Sequence, residues 1–177
     1  SFEAKNGYLL NIHSSYRTPR IIYAIDVEKS IQNYRINPKN PANPVIKPDW
    51  LVCQTIFESP NPITSLGLGK MEINKRMVNG FDQYSRIFYP SNFDPHKKYP
   101  VVVYVYGGPH AQMITNSYLD GANLWMYWMA EQDYLVFTVD NRGSDNRGFA
   151  FESIIHGNLG ANEMDDQLKG VDYLKSL

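Results

Sequence analysis

Lys98-Tyr-Pro-Val-Val-Val-Tyr-Val-Tyr-Gly-Gly-Pro-His-Ala-Gln112 runs a block of strand-forming side chains straight into paired glycines and a proline. From Val101 to Tyr106 there is no polar alternation, which predicts a strand covered on both faces. Gly107 and Gly108 let the backbone turn sharply and approach a ligand closely, and Pro109 fixes the turn. Open α/β sheets place their functional groups on such loops, at the carboxyl ends of buried strands.

Downstream, residues 120–132 predict a helix capped by Asp120, with Leu124, Trp125, Trp128 and Met129 mostly of buried type. Residues 135–139 read as another apolar strand, and 140–148 as a tight loop, Asp-Asn-Arg-Gly-Ser-Asp-Asn-Arg-Gly. Met164, Leu168, Val171, Leu174 and Leu177 then recur at helical spacing as one apolar stripe. Asn162 is placed to cap that helix, and Glu163, Asp165 and Asp166 sit at the positive end of its dipole. Upstream, residues 71–78 and 82–89 are strand-like and joined at Asn79-Gly80, a strong hairpin signal. The order after residue 66 is thus strand, strand, strand, helix, strand, helix, which indicates an α/β domain.

The first part of the chain differs. Residues 8–15 and 20–27 predict a hairpin around 16–19, with Ile21, Tyr23, Ile25 and Val27 on one face. A lone hairpin is marginally stable, so these strands belong to a larger sheet. Pro38, Pro41, Pro44 and Pro48 forbid regular helix and mark a linker or extended surface loop, and Pro60 and Pro62 make a second break. The chain starts almost inside a strand pattern and finishes in mid-helix, which reads as an interior piece of a longer protein.

Composition narrows the chemistry by exclusion. The 177 residues are 43% hydrophobic and 14% aromatic, with a formal net charge of −1 and no basic patch for nucleic acid. No apolar run is long enough to span a membrane, and residues 1–5 are no signal peptide. Cys53 stands alone and reads as a small core side chain. His13, His96, His110 and His156 are scattered without ligand spacing, so no metal site and no cofactor is expected. There is no phosphate-binding glycine motif and no G-x-S-x-G. Read from residues alone, Tyr106 is a strand-end tyrosine satisfied by a neighbour, and function stays open.

The 98–112 stretch resembles the opening strand and loop of the peptidase domain in the prolyl oligopeptidase (S9) family, in its dipeptidyl peptidase IV branch. Val139-Asp-Asn-Arg-Gly-Ser144 is similar to that branch's D-x-R-G-S loop. Leu159-Gly160 and Asp165-Asp-Gln-Leu-Lys-Gly170 resemble the helix before its nucleophile strand. Tyr8-Leu-Leu-Asn-Ile-His-Ser-Ser15, with Arg20 onward, is similar to the last blade of its β-propeller. The resemblance implies residues 1–60 as the end of a propeller and a Pro-rich linker. Residues 61–177 become the N-terminal part of an α/β-hydrolase domain that stops before the nucleophile.

The implied activity is serine peptidase chemistry, the release of Xaa-Pro or Xaa-Ala dipeptides from peptide amino termini by acyl transfer to serine. The Ser, Asp and His of that chemistry fall outside these residues, so the piece alone is expected to be inactive. Tyr106 matches the oxyanion-hole tyrosine, Gly107 and Gly108 support it, and Arg142 braces the floor of the site. The other readings are an acylaminoacyl or endo-acting oligopeptidase of the same family, or an interaction module that kept the fold and lost the serine. The resemblance further implies peptide partners and a homodimeric parent. Its compartment would be exported, periplasmic or at the cell surface if bacterial.

Overall fold

The computed structural model describes residues 4–5, 7–36, 51–61, 63–121 and 124–177. They fall into two compact units, residues 1–61 with 116–118 and residues 62–115 with 119–177.

The first unit is an antiparallel four-stranded sheet in the order β1-β2-β3-β4. Its strands are β1 (Ala4–Lys5), β2 (Tyr8–Ser15), β3 (Thr18–Asp26) and β4 (Cys53–Glu58). Period-two geometry puts Ile21, Tyr23 and Ile25 on one buried face, where Leu9, Leu51 and Cys53 pack against them. The expected continuation of β3 to Val27 does not occur, because α1 (Val27–Ile36) begins there. The Asp26 carboxylate accepts from the Lys29 N–H at 3.0 Å, satisfying one of the orphan donors of the first helical turn. That helix and β4 have no counterpart in the sequence reading. The proline-rich stretch through Pro38, Pro41, Pro44 and Pro48 lies outside the described residues.

The second unit is a mixed sheet in the order β5-β6-β8-β7, formed by β5 (Met71–Val78), β6 (Phe81–Phe88), β7 (Val101–Val103) and β8 (Leu135–Val139). Its helices are α2 (Leu124–Ala130), α3 (Phe149–Glu152) and α4 (Ala161–Ser176). The β5–β6 turn has positive φ at both Asn79 (53°) and Gly80 (81°), the mirror-image turn that fits the natural twist of a hairpin. β8 pairs antiparallel to β6 and parallel to β7.

Helices cover both faces of the sheet. Phe88 of β6 meets Tyr127 of α2 edge-on at 4.8 Å, and Val136 lies beside Phe88 in register. On the opposite face Ile87, Phe137 and Val139 form a buried cluster with Tyr173 and Leu174 of α4. Fully burying one such side chain contributes roughly 1.5–3 kcal/mol, so β8 is a main source of cohesion in this unit. Gly170 permits α4 to approach closely: a Cβ there would stand 2.9 Å from the Phe137 ring.

Several expectations need correction. The β7 ladder ends at Val103 rather than Tyr106. One further bond, Tyr104 N–H to the Phe137 carbonyl at 2.8 Å, extends it. Val101 and Val103 are exposed, because among the described strands β7 has a neighbour on one side only. On α2 the buried side chains are Met126, Tyr127 and Ala130, whereas Leu124, Trp125 and Trp128 are exposed. Asp120 lies in a 3-10 turn (Tyr118–Gly121), and its side chain is outside the described residues.

α4 turns a different face inward than its apolar stripe suggested. Glu163, Asp166 and Gly170 are buried while Met164 and Leu168 are exposed. Gly160, not Asn162, precedes the helix, and Glu163 Oε2 accepts the Gly160 N–H at 2.9 Å. Asn162 lies within the first turn and donates instead to the Ile154 carbonyl.

Candidate functional site

The strand-to-loop junctions after β7 and β8 lie side by side, since the two strands are parallel neighbours. The loop after β7 carries Tyr106, Gly107 and Gly108. Gly107 has φ +79°, a left-handed conformation that a β-carbon would strain. At Gly108 a Cβ would sit 3.4 Å from the Tyr106 ring, so glycine leaves that ring its place. Tyr106 is 59% exposed, and among the described residues no hydrogen bond holds its hydroxyl.

The loop after β8 is built from buried polar groups. Asp140 is 2% exposed and accepts the N–H groups of Met113 at 2.8 Å and Ile114 at 3.2 Å. Arg147 Nη2 lies 3.3 Å from the same carboxylate. Burial pushes the Asp140 carboxyl above the usual range, opposed by the two N–H donors and by Arg147. This aspartate ties the loop after β8 to the segment that follows Tyr106-Gly-Gly-Pro. Asn141 is also buried, and Ser144 bonds to the Asn141 carbonyl through both its N–H and its hydroxyl. At Gly143, with φ +94°, a Cβ would fall 2.3 Å from Ile155.

Arg142 makes its contacts with α4. Its N–H donates to Asp166 Oδ2 at 2.7 Å, and its guanidinium reaches both carboxylate oxygens of Asp166 at 2.9–3.1 Å. Asp165 takes Nη2 at 3.1 Å, and one weaker contact goes to a carbonyl, that of Asn162 at 3.4 Å. The bracing thus runs chiefly to carboxylates of the helix. Asp166 is wholly buried and also accepts from Asn79 Nδ2 at 2.7 Å, so one carboxylate joins the β5–β6 turn, the loop after β8 and α4. Sequence reading had Asp165 and Asp166 as helix-start electrostatics only. A pairing across 24 residues leaves no periodic signal.

Beside His110 lies a cavity of about 850 Å³ whose lining includes Pro109, Phe149, Glu152, Ile155 and His156. Among the described residues no group of three His, Cys, Asp or Glu side chains is placed to hold a metal ion. No helix among them is long and apolar enough to cross a membrane.

Residues 122–177 match the prolyl oligopeptidase family. With the loop motifs and the relatives below, the chain belongs to that family, peptidase S9, on its dipeptidyl peptidase IV-like side. Dipeptidyl peptidase 8 of mouse and of human are each 34% identical over 122 residues, 69% of this chain and 14% of the relative. A crystal structure of a Bacteroides ovatus protein described as a dipeptidyl aminopeptidase IV superposes with TM-score 0.77 at 38% identity, covering 100% of this chain and 23% of that one. Dipeptidyl peptidase 4 of Porphyromonas gingivalis shares the fold, with TM-score 0.66 at 22% identity over 94% of this chain and 21% of that one. The chain therefore spans less than a quarter of the length of these relatives.

Proposed function

We propose that these residues form the oxyanion side of a serine exopeptidase that releases Xaa-Pro and Xaa-Ala dipeptides from free peptide amino termini. The carrying observation is Tyr106, a phenol at the end of a parallel strand, exposed and with no partner for its hydroxyl among the described residues. A donor held at a rigid strand end can meet the charge that develops on the scissile carbonyl oxygen. The attacking serine and its His and Asp are supplied from outside these residues, and the 177-residue piece alone turns nothing over.

In this reading residues 61–177 are the first part of an α/β-hydrolase domain, and residues 1–60 the last propeller strands with the following linker. The sheet order and the open, apolar edge of β7 support it, since a further parallel strand would cover Val101 and Val103. Gly107 supplies the left-handed turn after Tyr106, Gly108 lies against its ring, and Arg142 supports the site from behind through Asp166. The full-length protein is exported, acts on peptides and forms a homodimer.

The test is hydrolysis by the full-length protein of a dipeptidyl anilide with proline second, with and without an acetyl group on its amino terminus. Release from the free-amino substrate, and at least 100-fold less from the acetylated one, is expected, because a site built to pair with a charged amino group rejects an analogue lacking it by about that factor or more. Preference for the acetylated substrate, or for internal bonds, would assign an acylaminoacyl or endo-acting enzyme. No hydrolysis of any of them would favour the non-catalytic module.

A further inference from the structure

Asn141 stands out among the buried polar side chains near the site, because it touches the turn that carries Tyr106. It is 2% exposed, yet its amide is used on both sides. Oδ1 accepts from Gln167 Nε2 of α4 at 3.0 Å. Nδ2 donates to the Arg142 carbonyl at 2.7 Å and lies 3.4 Å from the Gly107 carbonyl. We propose that Asn141, anchored by Gln167, is a positioning residue that holds the Tyr106–Gly107–Gly108 turn. It rests on the reading of Tyr106 as an oxyanion donor.

The chemistry of the position is specific. A side chain here must present an acceptor to α4 and donors to two carbonyl oxygens, which a primary amide does and a carboxylate does not. Aspartate would set negative charge against both carbonyls, and alanine would leave Gly107 without that donor. Other described bonds between the two loops fall further along. Asp140 takes the N–H groups of Met113 and Ile114, Asp145 N–H reaches the Ala111 carbonyl, and Asn146 reaches Gln112. The turn itself is reached through Asn141.

Gly107 is the hinge at which such a tether matters. With φ at +79° and no side chain, its carbonyl is free to swing unless something holds it. That carbonyl belongs to the Gly107–Gly108 peptide, so holding it fixes the turn directly after Tyr106 and the place of Gly108 against the Tyr106 ring. A small misplacement of a catalytic donor is costly, on the order of 100-fold for about 1 Å.

The experiment is a double-mutant cycle in the full-length protein, Asn141→Ala with Tyr106→Phe, reading kcat and KM together with amide exchange of residues 106–111. Asn141→Ala should lower kcat about 10- to 100-fold with little change in KM, as expected when only a transition-state interaction is disturbed. In the Tyr106→Phe background the same change should cost less than about twofold, because residues acting through one another are not additive. Exchange at 106–108 should quicken while the core of the sheet stays protected. Gln167→Leu, which removes the anchor and leaves the loop sequence intact, should move kcat the same way.

Full multiplication of the two effects, or unchanged exchange in the turn, would overturn the proposal. If Tyr106→Phe alone turns over normally, the reading of Tyr106 as an oxyanion donor falls, and with it the proposal that Asn141 acts through that residue.

Discussion

Tyr106→Phe in the full-length protein should lower kcat by about 10²–10³-fold while leaving KM nearly unchanged, the scale for one lost oxyanion donor. The substitution removes a hydroxyl that among the described residues bonds to nothing, so it strands no buried partner. The ring is 59% exposed, and its removal of one oxygen leaves packing untouched. Stability should therefore hold within about 0.5 kcal/mol, as for other surface changes. Steady-state kinetics beside a thermal melt separate the two quantities. A silent variant would make Tyr106 a bystander at the strand end. A variant that loses stability and activity together would make it a packing residue.

The second large effect concerns Asp166. Its carboxylate is fully buried and takes the Arg142 N–H, the Arg142 guanidinium and Asn79 Nδ2. Asp166→Ala leaves the Arg142 guanidinium, itself only 10% exposed, without its main counter-charge. Breaking a buried pair from one side costs about 3–5 kcal/mol, because the remaining charge stays desolvated. The lower end applies here, since Asp165 still offers Arg142 an oxygen at 3.1 Å. Replacing both partners together, Arg142→Met with Asp166→Leu, should restore much of the loss, because no charge is then stranded. Denaturant unfolding of the three proteins, the unaltered one included, checks this. Equal losses for the single and double variants would show that the pair itself is not what holds the loop to α4.

These two residues were not equally legible in the sequence. Tyr106 ends a strand-forming run and precedes two glycines, so its place on a functional loop could be read from residue types alone. The role proposed for it comes from resemblance. Asp166 sits in an acidic helix start that local electrostatics explains without remainder, and its partner lies in the loop after β8.

α4 shows the same limit more generally. Periodicity found the helix and one inward residue of its stripe, Leu174, but missed that the inward face also carries Gly170 for close approach to Phe137 and Asp166 for Arg142. The apolar Met164 and Leu168 remain outside. β8 was readable because helices on both faces favour a near-continuous apolar run, here broken only by Thr138. The Asn79-Gly80 turn was readable because its backbone requires positive φ at both positions. β4 was not: Cys53–Glu58 has no alternation, and its strand form follows from pairing with β3.

The central claim, a serine peptidase whose oxyanion side lies in these residues, is tested most directly by fluorophosphonate labelling of the full-length protein and mapping of the adduct. One adduct is predicted, on a serine outside residues 1–177. No adduct on folded protein, or an adduct on a serine within these residues, would contradict it.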